Sequence, residues 1–120
     1  MASKEPPRRT AQFIYLKPEH LDEYKEIHEK VWSEVLQAIK ESNIADYSIF
    51  LSLTPRPTLF ASFKYVGNDY DSDMLRMASH PKVQEWWRLT DGMQESPIPG
   101  AKGSAEGPWW GQMDEVFRLE

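Results

Sequence analysis

The order in which strand-like and helix-like segments follow one another constrains the fold of this chain more than any other feature. Alternating apolar residues predict four strands, over residues 10–16, 47–53, 58–66 and 113–119. Helical patterns fill the intervals: one long amphipathic helix over 18–42, and a second helical region in two parts, over 70–78 and 81–92. The order βαββαβ predicts an α+β fold, a ferredoxin-like plait whose four-stranded antiparallel sheet carries helices on one face.

The length and composition indicate one folded domain. A chain of 120 residues with 40% hydrophobic residues can bury a sizeable core. We expect residues 1–9, which include Pro6-Pro7-Arg8-Arg9, to be a disordered N-terminal tail, and residues 10–120 to form the domain. Residues 93–111 contain three prolines and four glycines and have no periodicity, which predicts an irregular loop within the domain.

Several classes of function are disfavoured by composition. The chain has no cysteine, which excludes disulfides and thiolate metal sites and favours a reducing, cytoplasmic location. The three histidines, His20, His28 and His80, lack the spacing of metal ligands, so no metal is expected. A net charge of −5 without a basic patch argues against nucleic acid. No apolar run is long enough for a membrane helix, and no signal peptide or phosphate-binding glycine loop is recognisable.

One histidine lies on the apolar stripe of the long predicted helix. Tyr24 precedes His28 by four residues and Trp32 follows it by four, so an unbroken helix would place all three on one face. An imidazole that titrates near neutral pH, flanked by aromatic rings, suits acid–base chemistry on a small polar ligand. By itself, the pattern is more often that of a hydrogen-bonded core histidine than that of a catalytic one.

A second aromatic pair, Trp86-Trp87, lies in the last predicted helix. Neighbouring positions on a helix point about 100° apart, so we expect one indole in the core and the other facing a ligand. Trp109-Trp110 in the irregular loop are interpreted either as a hydrophobic clasp for the loop, which we favour, or as part of a lid.

The sheet face without helices is also expected to be apolar. Phe50 and Phe60 fall on that face, joined by either Phe13 or Ile14 of the first strand. Large aromatic residues on an open sheet face predict that a second copy of the chain covers it. We therefore expect a homodimer.

The chain resembles the L-rhamnose mutarotase family over nearly its whole length, from about Gln12 to Leu119. The matching segments are Glu23-Tyr24-Lys25-Glu26-Ile27-His28-Glu29-Lys30-Val31-Trp32-Ser33-Glu34, Asp46-Tyr47-Ser48-Ile49-Phe50-Leu51, Leu59-Phe60-Ala61, Val83-Gln84-Glu85-Trp86-Trp87-Arg88-Leu89-Thr90-Asp91-Gly92-Met93 and Asp114-Glu115-Val116-Phe117-Arg118-Leu119. The resemblance implies a dimeric α/β barrel that interconverts the α and β anomers of a sugar without metal or organic cofactor. It also implies that His28 donates a proton and that the sugar is contacted by Tyr24, Tyr47, Trp86 and Trp87.

The sequence departs from the family pattern in two places. Family members often carry Asn-Pro after the histidine, where this chain has Glu29-Lys30. The stretch from Pro97 to Gly111 is longer than expected and contains Trp109-Trp110. Both departures affect the predicted rim of the site, and hence substrate identity more than reaction type.

The predicted activity is cofactor-independent mutarotation of a monosaccharide, L-rhamnose or a related deoxy sugar, by acid–base catalysed opening and closing of the hemiacetal ring. Ring opening requires a proton delivered to the ring oxygen and another removed from the anomeric hydroxyl. The general base that removes the proton of the anomeric hydroxyl is left open among Asp91, Tyr24 and water. The alternatives are another cofactor-free enzyme on a dimeric α/β barrel and a small-ligand-binding module.

Overall fold

The computed structural model describes residues 8–119 and contains an antiparallel sheet with helices packed on one face. The strands are β1 (Arg8–Leu16), β2 (Ile44–Ser52), β3 (Thr58–Tyr65), β4 (Gln94–Glu95) and β5 (Gly111–Met113). The helices are a 3-10 turn (Pro18–His20), α1 (Leu21–Glu29), α2 (Ser33–Glu41), α3 (Tyr70–Ala78) and α4 (Pro81–Asp91). The sheet order is β2-β3-β1-β4, and β5 also pairs with β1. The predicted α+β plait is confirmed, although the last strand, β5, is shorter than expected and a further short strand, β4, lies in the segment predicted to be an irregular loop.

The two ends of the described chain differ from the prediction. Arg8 and Arg9, placed in the expected tail, belong to β1, where they pair with Tyr65 and Lys64 of β3. The rest of that tail, residues 1–7, lies outside the described residues. The predicted strand over 113–119 is wrong, because only residues 111–113 pair with β1. Apolar residues make a segment compatible with a sheet, but a strand also needs a neighbouring backbone to bond to.

The single long helix predicted over 18–42 is also wrong. α1 ends at Glu29, and the backbone leaves helical geometry at Lys30 (φ −137°, ψ 63°) and Trp32 (φ −56°, ψ 136°) before α2 begins. No glycine or proline marks this break. The Trp32 indole packs edge-on against that of Trp86, with ring centroids 5.2 Å apart, so a tertiary contact accompanies the change of direction.

The helix-facing side of the sheet forms the core that supports the site. Ile14 and Leu16 of β1 and Leu59 of β3 are at most 2% exposed, and they cluster with Tyr24 of α1 and Met93 after α4. The core therefore fixes α1 and the end of α4 over the same part of the sheet. None of the helices within residues 8–119 is long and apolar enough to span a membrane.

A row of phenylalanines crosses the opposite face of the sheet. Phe60 of β3 pairs with Phe50 of β2 on one side and with Phe13 of β1 on the other, and directly paired residues project to the same face. Phe13 is therefore the residue that joins the row, whereas Ile14 is fully buried in the core. Gly111 of β5 pairs with Phe13 at the end of this row. A side chain at this position would clash with Phe13, because a Cβ atom would lie 2.6 Å from its Cε1 atom.

Candidate active site

Three of the predicted site residues form one aromatic cluster. Tyr24 and His28 lie one turn apart on α1 with their rings stacked, the centroids 4.1 Å apart and the planes inclined by 26°. The indole of Trp86, on α4, meets the imidazole edge-on at a centroid distance of 5.2 Å. Trp32 joins the cluster through Trp86 rather than through a continuous helix face. The core packing of α1 against α4 thus encloses His28 between aromatic rings.

The hydrogen bond of His28 defines which ring nitrogen carries the proton. Nδ1 lies 2.8 Å from the backbone carbonyl oxygen of Tyr24. A carbonyl oxygen only accepts, so Nδ1 must donate, and in the neutral ring Nε2 is left as the proton acceptor. Burial lowers the pKa of His28 below its ordinary value, and the bond to the Tyr24 carbonyl opposes this effect only in part. At neutral pH the side chain is accordingly an uncharged base.

Two adjoining cavities contain most of the remaining predicted residues. The larger, about 600 Å³, is lined by His28, Tyr47 and Trp86 among others. The smaller, about 270 Å³, is lined by Tyr47, Trp86 and Trp87, and by Trp109 of the irregular loop. Tyr47 and Trp86 belong to both walls, together with Val35, Ile39 and Ile44, so the two cavities adjoin along these side chains. Tyr24 lines a third recess, of about 240 Å³, together with His28.

The two tyrosines can act as neutral hydrogen-bond donors. An irregularity in β2 between Ala45 and Ser48 precedes the continuous pairing with β3, and the Tyr47 ring stacks on Phe63 at a centroid distance of 5.5 Å. Tyr47 is 39% exposed, but the protein around its hydroxyl removes solvent from it and raises the pKa of Tyr47 to about 12. Burial, and secondarily the charge of Tyr47, raises the pKa of Tyr24 still further. Both hydroxyls therefore keep their protons at neutral pH.

The two adjacent tryptophans of α4 have different environments. Trp86 is 6% exposed and touches both His28 and Trp32. Trp87 is half-buried and lines only the smaller of the two adjoining cavities. This is the divergence expected of neighbouring helix positions.

Sequence reasoning missed a polar network that joins the irregular loop to α1. Nε1 of Trp109 donates to Oε1 of Gln94 at 3.0 Å, and Nε2 of Gln94 donates to the Tyr24 hydroxyl at 3.3 Å. Asp91 anchors the same loop by accepting bonds from the backbone N–H and the hydroxyl of Ser104, at 2.8 and 2.6 Å. The Trp109-Trp110 pair was the available sequence signal. Both indoles pack against the core cluster, as expected of a clasp for the loop. Both also line the smaller of the two adjoining cavities and so form part of its wall.

The ionisable groups of the described chain offer little to a metal. Within residues 8–119 no group of three or more histidine, aspartate or glutamate side chains is arranged to hold an ion. Asp91, one of the candidates for the general base, has both carboxylate oxygens bonded to Ser104, which fits an anchoring role.

Comparison with known proteins identifies the family. The family model for L-rhamnose mutarotase matches residues 9–119. The chain is 36% identical to an L-rhamnose mutarotase of Formosa agariphila over 81% of this chain and 84% of that protein, and 34% identical to one of Leptothrix cholodnii over 70% and 76%. A crystal structure of an L-rhamnose mutarotase from Formosa agariphila superposes with a TM-score of 0.71 at 28% identity, covering 94% of this chain and 99% of that one. The resemblance and the predicted isomerase class are confirmed: the chain belongs to the L-rhamnose mutarotase family.

Proposed function

We propose that this protein interconverts the α and β anomers of L-rhamnose or a related deoxy sugar without a cofactor, with His28 as the group that moves the proton. The observation that carries the proposal is the bond from Nδ1 of His28 to the Tyr24 carbonyl, which leaves a neutral Nε2 as acceptor beside an aromatic cavity. The matched relatives are named for L-rhamnose, which supports the choice of sugar.

The reaction needs one base and one donor on the two oxygens of the anomeric carbon. During opening, Nε2 of His28 accepts the proton of the anomeric hydroxyl, the bond from the anomeric carbon to the ring oxygen breaks, and the ring oxygen receives a proton from Tyr24, Tyr47 or a bound water. The aldehyde then rotates. Closure reverses each step, and the imidazolium returns its proton to the carbonyl oxygen, which agrees with the donor role implied by the family resemblance.

The cavity wall suits the ring of a sugar. Indole faces bind the apolar C–H faces of a pyranose, and Trp86 and Trp87 supply them in the adjoining cavities. The hydroxyls of Tyr24 and Tyr47 supply neutral donors for sugar oxygens. No charged side chain is required for ring opening in this arrangement.

We further propose that the protein is a cytoplasmic homodimer joined through the helix-free face of its sheet. Phe50 is 65% exposed and Phe60 37% exposed in the isolated chain, although they belong to one continuous aromatic row. A second copy is the simplest cover for such a face. The absence of cysteine supports the cytoplasmic location.

Saturation-exchange NMR of L-rhamnose, compared with a panel of other monosaccharides, tests the activity. We expect added protein to raise the α–β exchange rate of L-rhamnose. The His28→Ala variant should reduce this acceleration by about 10²–10⁴-fold while its circular dichroism spectrum stays that of the wild-type protein.

The matched control for this test is His20→Ala. His20 lies just before α1 and contacts Glu23, away from the cavities, so this variant should keep the wild-type rate. A folded wild-type protein that accelerates no sugar, but binds one or transforms an aromatic substrate, would favour one of the two alternative functions instead.

A further inference from the structure

The hydrogen-bonded chain from Trp109 through Gln94 to Tyr24 has a defined direction. The indole N–H can donate but cannot accept, so it fixes the carbonyl oxygen of the Gln94 amide toward Trp109. The amide NH₂ must then face Tyr24, whose oxygen accepts the bond. Gln94 and Tyr24 are both 4% exposed, so bulk water does not compete for these groups.

The proton of the Tyr24 hydroxyl is left to bind a ligand. Because the oxygen already accepts from Gln94, the hydroxyl must direct its proton elsewhere, and no acceptor within residues 8–119 is bonded to it. Tyr24 and His28 line the same recess of about 240 Å³, so an oxygen of a ligand bound in that recess is the available acceptor.

The irregular loop is held so that the indole keeps this position. The Ser96 hydroxyl donates to the backbone oxygen of Trp109 at 2.5 Å and accepts from the backbone N–H of Ile98 at 3.1 Å. Asp91 holds Ser104 further along the loop.

We propose that Trp109 and Gln94 are positioning residues for the mutarotase reaction, which orient the Tyr24 hydroxyl so that it donates to an oxygen of the bound sugar. The inference rests on the proposed function. Neither residue needs to touch the sugar for this role, because each acts through the next hydrogen bond in the chain.

Gln94→Glu tests the direction of the chain with almost no change of shape. At neutral pH the introduced carboxylate can accept from Trp109 but cannot donate to Tyr24, so it draws the Tyr24 proton away from the sugar. We expect kcat/KM to fall about tenfold. At lower pH the carboxylate becomes protonated and can donate as the amide does, so the ratio of variant to wild-type activity should rise toward one.

The ratio removes the pH dependence that both proteins share through the titratable groups around residue 94. These groups are Tyr15, Lys17, Tyr24, His28, Tyr47 and Asp91. A ratio that stays constant with pH would overturn the proposal, because a purely structural defect has no reason to be repaired by protonation of residue 94.

A double-mutant cycle with Tyr24→Phe provides a second test. Trp109→Phe releases the Gln94 amide, and we expect it to lower kcat/KM several-fold when Tyr24 is present and to have no effect when position 24 is already phenylalanine. An equal loss in both backgrounds would mean that Trp109 acts by packing alone.

An NMR measurement separates failure of this inference from failure of the proposed function. The indole N–H signal of Trp109, assigned by its loss in Trp109→Phe, should exchange slowly with solvent in the wild-type protein and faster in Gln94→Leu. This result does not depend on activity. Fast exchange in the wild-type protein would remove the first bond of the chain, whereas slow exchange without mutarotase activity would reject only the proposed function.

Discussion

At the residue scale, the imidazole of His28 differs from an exposed histidine in protonation and in tautomer. Its partial burial disfavours the charged form, and the Tyr24 carbonyl holds the proton on Nδ1. The reaction in turn needs an uncharged acceptor on the other nitrogen. The backbone of α1 and the packing of α4 therefore hold His28 in the form that the proposed reaction requires.

The pH dependence of activity should reflect this environment. Only neutral His28 can accept the anomeric proton, and burial lowers its pKa below 6.5, so kcat/KM should remain level through neutral pH and fall in acid with a midpoint below 6.5. Exchange rates measured by NMR from pH 5 to 8, corrected for the uncatalysed rate, check this. A midpoint above 6.5 would contradict the assignment of His28 as a buried base.

Substitutions of the two tryptophans of α4 should have different effects, one on the stability of the protein and the other on sugar binding. Trp86 is buried against His28 and Trp32, so Trp86→Ala should lower the free energy of unfolding by about 3–5 kcal/mol. Trp87 is half-buried in the cavity wall, so Trp87→Phe should raise KM with only a mild loss of stability. Urea denaturation and exchange kinetics measure the two effects. Wild-type kinetics in Trp87→Phe, with no change in tryptophan fluorescence on adding sugar, would make the pair structural.

At the element scale, the periodicity of the sequence predicts which segments are helices and strands but not where the chain turns between them. The βαββαβ order and the positions of α3 and α4 follow from apolar spacing and from Pro81. The break after α1 does not, because Lys30 and Trp32 are compatible with a helix and leave it where Trp32 packs on Trp86.

The candidate site, like the fold, could be predicted from the sequence only in part. The spacing of Tyr24 and His28 on one helix predicts that they lie close together. The family resemblance assigns the two tryptophans of α4 to the same site. The bond between Gln94 and Trp109 joins residues 15 positions apart across a loop without periodicity. Contacts of this kind depend on the three-dimensional path of the loop, which no local pattern in the sequence encodes.

The anchoring of the loop by Asp91 can be tested by graded substitutions. Asp91→Ala removes the acceptor of both the Ser104 N–H and its hydroxyl, and should lower the free energy of unfolding by about 1–3 kcal/mol. Ser104→Ala removes only the hydroxyl bond and should cost about 0.5–1.5 kcal/mol. Urea denaturation gives both values, and hydrogen exchange of the Ser104 amide should accelerate only in Asp91→Ala. Equal exchange in the two variants would mean that Asp91 does not hold the loop.

At the scale of the whole molecule, the helices cover only one of the two faces of the sheet. The helices bury Ile14, Leu59 and their neighbours on one face, while the row of Phe50, Phe60 and Phe13 remains on the other. Apolar residues are also exposed beyond β5, where Val116 and Phe117 are 95% and 80% exposed. This distribution is expected of a subunit whose uncovered side meets another copy.

Sedimentation velocity at micromolar concentration tests the predicted dimer. Two copies of the 14.0 kDa chain give about 28 kDa, and we expect that species for the wild-type protein. Phe50→Asp places a charge in the aromatic row and should yield a folded monomer, because Phe50 lies on the face away from the core. Leu75→Asp is the matched control, since Leu75 is 70% exposed on α3 and should leave the dimer intact. A wild-type monomer, or a Phe50→Asp protein that remains dimeric, would show that the phenylalanine row is not the interface.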